Sequence, residues 1–436
     1  MAGEGRYTVS DRDIRELIST GDTRSFRPLG LRFGLILLGI ILSLLVLEGA
    51  LRMRHEFTVE PATTPDARLG HRGRPSFPGH DSRGWRNATA LAQSDIVAFG
   101  DSQTYGVNAP TDGAWPQQLG KMLHRSAYQM ALGGYGPAHY IPMLEDALTL
   151  KPKAVIAAYY FGNDAYDSYA LVYRTTDKLK RSAILNGLAS ADPKVGEATV
   201  RAERLDPDLA RVAYIDCQRP VEGGDPTQFV RFPMQPLPRL GETRPRFTQR
   251  LALVKAARRL RQRIVRQAPA FESKDYGPPF CVHYRGKRLR TILNVGLRTS
   301  ALDESDPRIV EGERISVLAL MFLAERCRQT GVRFYVLMIP TKESAFRQDA
   351  EVGLGHDNPH LMTLWNLEER ARARAIAYLT GEGIPAIDTL PALQSLIASG
   401  GNPYLENADG HPARIGYEAI ARAAAQRLGD DGLRLR

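Results

Sequence analysis

The chain is poor in cysteine, with Cys217, Cys281 and Cys327 alone among 436 residues, which excludes a disulfide-built scaffold. None stands in a C-x-x-C zinc spacing. At most one disulfide can form, and Cys217 with Cys281 is the expected pair, because Cys327 falls in a helical pattern and reads as buried. Internal repeats and low-complexity tracts are lacking. Long apolar runs are lacking too, with one exception, Phe33 to Leu47 (FGLILLGIILSLLVL). The rest, 43% apolar and 24% charged overall, is globular composition able to bury one or two cores, so wholesale disorder is excluded.

The net charge of +10 points by itself to a polyanionic partner. It is confined to one segment. Residues 171–310 hold 27 basic and 15 acidic side chains, leaving 31 against 33 elsewhere. Within that segment Thr248 to Gln267 (TQRLALVKAARRLRQRIVRQ) reads as a basic amphipathic helix, either lying on anionic lipid or an acidic polymer or packing its apolar side on its own subdomain. No recognition motif accompanies the charge, so nucleic acid is not an expected partner.

The apolar run continues through Glu48 to Leu51, giving 19 residues before Arg52, about 28 Å of helix and close to a bilayer core. It ends in LEGALRMR, without a small-x-small cleavage site, and so reads as an uncleaved single anchor. Basic residues flank it equally on both sides. Only the size of the following domain and the chemistry of its residues, given below, favour a single-pass protein of the cell inner membrane with its large part periplasmic or otherwise extracytoplasmic.

Residues 53–94 are rich in Pro, Gly, Arg and His with no sustained period and read as linker and lead-in. Asn87-Ala88-Thr89 within them fits a glycosylation sequon, a common chance match. Short apolar runs then follow at Asp95–Gly100, Tyr128–Leu132, Ala154–Tyr160, Arg333–Ile339 and Ile384–Ile387, suiting buried parallel strands. Helical stretches are predicted at Trp115–Arg125, Pro137–Leu150, Glu313–Thr330, Thr363–Leu379 and Pro412–Leu428. This alternation predicts an α/β three-layer sandwich. The rhythm breaks between Tyr160 and Arg333, where a large insertion is expected. The expected organisation is a tail over 1–32, the transmembrane anchor over 33–51, linker and lead-in over 52–94, and a core divided between 95–170 and 311–436 by an inserted basic subdomain, 171–310.

Strand-like DIVAFG runs into Asp101, Ser102 and Gln103, which puts a serine at a strand C-terminus, where open α/β sheets bind ligands. This is not the G-x-S-x-G elbow, because position 104 is Thr. A glycine-rich turn (ALGGYG) follows the second run and Asn163 the third (YYFGND). Asp409 stands two residues before His411, just ahead of a helix. A serine nucleophile needs a base, a carboxylate that orients the base and donors for an oxyanion. All of these lie at strand ends or helix starts.

In these four ordered blocks the chain resembles the SGNH, or GDSL, hydrolase superfamily of serine esterases and acyltransferases. The likeness covers residues 94–169 and 311–428 and implies a flavodoxin-like sheet. It implies Ser102 as nucleophile, His411 as base and later acid, and Asp409 as the group orienting His411. It implies an oxyanion hole from the Ser102 and Gly134 backbone N–H groups and the Asn163 amide, with Gly133 the alternative to Gly134. Gln129 stands where the family often has Asn. The Pro340-Thr341-Lys342 segment resembles a strand-end Pro-x-Lys of SGNH-like enzymes that acetylate alginate, although those place their Asp-His pair before the serine. Lys342 and Thr341 are therefore substrate-binding candidates, a solvated turn lysine being the alternative.

The expected activity is hydrolysis of acyl esters, O-acetyl groups of a cell-envelope or exported glycan, through an acyl-Ser102 intermediate. The alternatives are an O-acyltransferase modifying an exopolysaccharide, a noncatalytic glycan-binding scaffold of an export complex, and a lipid esterase. No cofactor or metal is implied: His356, Asp357 and His360 have ligand-like spacing, but Pro359 disfavours the helix they need, and the segment reads as loop.

Overall fold

The computed structural model describes residues 26–53, 62–75, 77–174, 183–205, 281–285, 289–354 and 358–432. They fall into two compact units, the helix Phe26–Met53 belonging to one and everything from residue 62 onward to the other. The helix contains the whole apolar run, and every large apolar side chain from Leu35 to Leu47 is exposed, between 46% and 72%. Side chains are described only for residues 34–47 of it, and among the described residues no helix is long and apolar enough to cross a membrane.

The second unit opens with an antiparallel hairpin, β1 (Thr63–Asp66) and β2 (Gly70–Gly73). Strands β3 (Ile96–Gly100), β4 (Ala127–Ala131) and β5 (Ala154–Tyr160) follow, then a second hairpin of β6 (Cys281–Arg285) and β7 (Arg290–Asn294), then β8 (Arg333–Ile339) and β9 (Ala386–Asp388). Five of them form one parallel sheet in the order β4-β3-β5-β8-β9. Every residue of β3 and β5 is buried, which is why these strands are continuous apolar runs and do not alternate.

Numbered along the chain within the sheet, that order is 2-1-3-4-5, the flavodoxin-like arrangement, whose direction reverses between β3 and β5. Right-handed crossovers therefore put the helix Trp115–Leu123 on one face and Pro137–Leu148, Pro307–Gln329 and Pro359–Gly381 on the other. Leu390–Ala398 and Arg414–Asp430 join the first group, packed successively against Trp115–Leu123. The expected α/β sandwich is thus present, its strands within two residues of their predicted starts.

Two helices begin earlier than their apolar pattern suggests. Pro307–Gln329 is started by Asp306, whose carboxylate accepts from Arg308 N at 2.8 Å, and Pro359–Gly381 by Asn358, which accepts from Leu361 N at 2.9 Å. Each has Pro at the first helical position, where the missing N–H costs nothing. The helix thus starts at Pro359, so His360 lies in its first turn and not in a loop; His356 and Asp357 lie outside the described residues. So do Cys217, the other half of the expected disulfide, and the segment Thr248 to Gln267. Cys327 is fully buried.

Residues 62–94 are no spacer, because Leu69 and Trp85 join the core and Asp81 and Asn87 are buried. Asp81 binds Trp85 N at 3.1 Å and Tyr128 OH at 2.6 Å. Asn87 acts as a short substitute strand at the sheet edge. Its Oδ1 accepts from Gln129 N and its Nδ2 donates to Gln129 O, both at 3.0 Å, pairing both backbone groups of an edge residue. This burial also leaves the Asn87 amide no access for a glycan. Asn87→Ala should lower unfolding stability by about 2 kcal/mol, since it strands a buried donor and acceptor; urea melts coinciding with the wild type would contradict this.

Candidate active site

The nucleophile candidate sits where β3 ends. Gly100 is obligatory there, since a Cβ on it would lie 1.9 Å from Thr104 Oγ1 in the turn that follows. Asp101 caps that turn, its Oδ1 accepting from Gln103 N at 2.8 Å. Ser102, partly exposed, then faces the loop ahead of the last helix. Its Oγ is 2.8 Å from His411 Nε2, and His411 Nδ1 is 2.5 Å from Asp409 Oδ1. A carboxylate only accepts, so Nδ1 carries the proton and Nε2 is left as the acceptor for the serine hydroxyl. Asp409 Oδ1 also takes His411 N at 2.9 Å, fixing backbone and ring together.

Burial pushes the Asp409 carboxyl upward, but the His411 imidazole, its two hydrogen bonds and the Lys342 charge outweigh this and hold it well below the usual carboxylate range. Asp409 is therefore ionised wherever the protein is folded near neutrality, as an orienting carboxylate must be.

The glycine turn after β4 lies against the nucleophile, a Cβ on Gly133 falling 3.6 Å from Ser102 Cβ. Gly134 has φ +81°, a left-handed conformation that favours glycine. Two lead-in contacts hold this turn: His71 Nε2 donates to Gly133 O at 2.9 Å, and Tyr135 OH donates to His71 O at 2.6 Å. Asn163 stands at the end of β5, the neighbouring strand across the reversal point, with its Nδ2 donating to Asp167 Oδ2 at 2.6 Å. All the predicted groups thus occupy one edge of the sheet, and Ser102, His411 and Asp409 are in direct contact.

Lys342 and Thr341 stand differently from the substrate-binding expectation. Both are fully buried. Lys342 Nζ spends its three protons on Thr291 Oγ1 (3.1 Å), Asn407 O (2.6 Å) and Asp409 O (3.0 Å). Thr341 is bound through N and Oγ1 to the buried Glu368 carboxylate. Neither side chain is left a face for a ligand. Burial lowers the Lys342 ammonium to about 8, with Glu343 and Asp409 opposing and Arg298 reinforcing the shift. A strand-end lysine reads as solvated until one sees that β7, from the end of the expected insert, covers it.

Two arginines outside every motif also hold the site. Arg86 donates to Tyr105 O, Gly106 O and Ala109 O at 2.6–2.7 Å, clamping the chain just after the nucleophile. Arg298 donates to Gly162 O at 3.2 Å, and its guanidinium lies so close to Gly410 that a Cβ there would meet it at 2.4 Å. It therefore touches the residues preceding both Asn163 and His411. Neither arginine belongs to a motif, so only the fold could reveal them.

Beneath the site three carboxyl groups are buried, Asp101, Asp164 and Asp167. Burial raises Asp101 to about 6, partly offset by Gln103 N and the nearby His411. Burial and the Asp101 charge raise Asp167 to about 7, and burial with Asp101 raises Asp164 well above the ordinary range. Among the described residues no group of side chains could hold a metal ion.

No protein-family model and no curated protein matches the chain. Among solved structures it is similar to a GDSL-like lipase from Bacteroides thetaiotaomicron, at 10% identity over 77% of this chain and 88% of that one, TM-score 0.31. It is also similar to a protein designated lipolytic and of the G-D-S-L family from Desulfitobacterium hafniense, at 11% identity over 76% and 97%, TM-score 0.32. An α/β-hydrolase enzyme from the metagenome of Lake Arreo gives 12% identity over 78% and 97%, TM-score 0.31. Superpositions this loose bear no weight, and the chemistry rests on the atoms described above.

Lys342→Met should lower unfolding stability by about 2 kcal/mol, since it takes the donor from the buried Asp409 O while Asn407 O keeps Ile292 N; a loss below about 0.5 kcal/mol would show that the lysine does not hold the Asp409 loop. A second expectation concerns pH. Because Asp167 protonates at about 7 when folded against an ordinary 3.8, the folded protein keeps a proton that the unfolded chain has released. That contribution to stability therefore falls as pH rises between about 4 and about 7. Asp167→Asn should gain melting temperature relative to wild type across this interval, and a pH-independent difference would contradict the assignment.

Proposed function

We propose that the chain is a serine esterase of the SGNH, or GDSL, type, cleaving acyl esters through an acyl-Ser102 intermediate. One observation carries the reading, the continuous line from Asp409 through His411 to Ser102, with contacts of 2.5 and 2.8 Å. In the first step His411 Nε2 takes the hydroxyl proton as Ser102 Oγ bonds to the ester carbonyl carbon. The carbonyl π pair moves onto oxygen, facing the Ser102 and Gly134 N–H groups and the Asn163 amide. Collapse expels the alcohol, which leaves with the proton from His411. Water, deprotonated by the same nitrogen, then releases the acid and restores Ser102.

The substrate class in this proposal is an O-acetylated glycan of the cell envelope or an exported polymer. The net charge of +12 over residues 171–310 supports an anionic one. A sugar hydroxyl could replace water in the second step without changing any residue named, giving O-acetyl transfer. We read residues 33–51, within the helix Phe26–Met53, as a membrane anchor, the catalytic domain lying on the extracytoplasmic side of the inner membrane; the exposed apolar side chains of Leu35–Leu47 support this reading.

A fluorophosphonate probe on the full-length protein, followed by peptide mass spectrometry, should place one adduct on Ser102 and none on the Ser102→Ala variant. A folded wild-type protein that takes no adduct at Ser102 would overturn the esterase reading.

A further inference from the structure

Asn163 presents two different faces, an amide nitrogen that donates and an oxygen that only accepts, and a half-turn about its last bond exchanges them. For a group meant to meet a developing oxyanion the exchange matters, because the oxygen repels what the nitrogen attracts. Something must fix the orientation. Asn163 itself does not cap the helix Asp164–Tyr169 with its side chain, and its Oδ1 is buried without a hydrogen-bond partner. The backbone therefore exerts no hold on this amide through a cap.

Its one described side-chain contact is with Asp167. Asp167 lies one helical turn on, tied back by its own N–H to Asn163 O at 3.0 Å, so the two side chains sit on the same face of the turn. Asp167 is 6% exposed, and its Oδ2 receives Asn163 Nδ2 at 2.6 Å, shorter than an ordinary N–H···O bond and charge-assisted when the carboxyl is ionised. A carboxylate accepts and does not donate, so it can hold the nitrogen and rejects the oxygen. One amide proton is used, and the second stays available.

We infer that Asp167 is a positioning residue for the oxyanion, acting through Asn163: it selects the orientation in which the amide nitrogen serves the site. The inference rests on Ser102 being the nucleophile, and predicts a defect in turnover, not in binding. The selection belongs to the ionised carboxylate, since a protonated carboxyl carries an O–H that can also hold the amide oxygen. The family blocks carry no signal for it, since Asp167 stands beyond the YYFGND run that contains Asn163.

The test is steady-state hydrolysis of an aryl acetate by full-length wild type, Asn163→Ala, Asp167→Leu, Asp167→Asn and the double variant Asn163→Ala with Asp167→Leu. Leu fills the buried site with an apolar group of similar shape, and Asp167→Ala serves in its place if the Leu variant does not fold. We expect Asp167→Leu to lower kcat by about 10-fold to 100-fold with KM changed less than about 2-fold, short of the roughly 100-fold to 1,000-fold of removing an oxyanion donor outright. Asp167→Asn, which keeps an acceptor oxygen but adds a donor able to hold the flipped amide, should recover only part of kcat. In the Asn163→Ala background Asp167→Leu should cost less than about 2-fold, because the group it acts through is gone. An equal loss in both backgrounds, or no loss in the wild-type background, would overturn the inference while leaving the esterase reading intact. A wild-type enzyme with neither turnover nor Ser102 labelling would overturn both.

Discussion

The ammonium of Lys342 binds three oxygens that come from two distant parts of the chain, Thr291 on β7 and the carbonyls of Asn407 and Asp409 on the loop before the last helix. That loop has little regular structure, yet it must present an imidazole to a serine some three hundred residues earlier. Its own turns and β7 hold it in part, through Asn407 N to Leu405 O and Ile292 N to Asn407 O, and the lysine adds bonds to Asn407 O and Asp409 O from below. The arrangement needs a cation because it must bind several acceptors at once, and needs burial because in water the same contacts would be worth little. The depressed Lys342 ionisation is the accompanying desolvation cost, offset by Glu343 and Asp409. Arg298 extends the same logic across the site, touching both the turn before Asn163 and the residue before His411.

Around this anchor the sheet does the rest by topology. Strand order reverses between β3 and β5, so the chains leaving these two strands turn toward opposite faces of the sheet, the position where ligands bind in such folds. Ser102 leaves the end of one strand and Asn163 the end of the other, while the glycine turn after β4 closes the opposite side. The lead-in segment then braces this turn through His71 and the nucleophile turn through Arg86. Catalytic geometry of this kind depends on polar contacts between loops, whereas the apolar core sets only where the strand ends lie.

Much of this was legible in the sequence. The five strands read as short, mostly apolar runs, continuous in β3 and β5 because both faces are covered, and Ser102, Asn163, Asp409 and His411 follow from their positions at strand ends and a helix start. The starts at Pro307 and Pro359 were equally readable, since Asp306 and Asn358 stand directly before a proline, but an apolar period alone begins later than the cap. Lys342 was misplaced because its neighbours in space come from β7, and nothing local tells a buried lysine from a solvated one. Residues 62–94 looked like a linker because much of their hold on the domain is made by single side chains, Asp81 to the Tyr128 hydroxyl and Arg86 and Asn87 to backbone atoms elsewhere, which leave no periodic trace.

The central claim is that Ser102, His411 and Asp409 form one nucleophilic unit that becomes acylated. Mixing the full-length protein with an aryl acetate, quenching with acid on the millisecond scale and sequencing its peptides by mass spectrometry tests it directly. The account predicts one acetyl group on the peptide containing Ser102, appearing with the first equivalent of released phenol and absent from His411→Ala. Release of phenol by the wild-type protein with Ser102 unmodified at every quench time would contradict it.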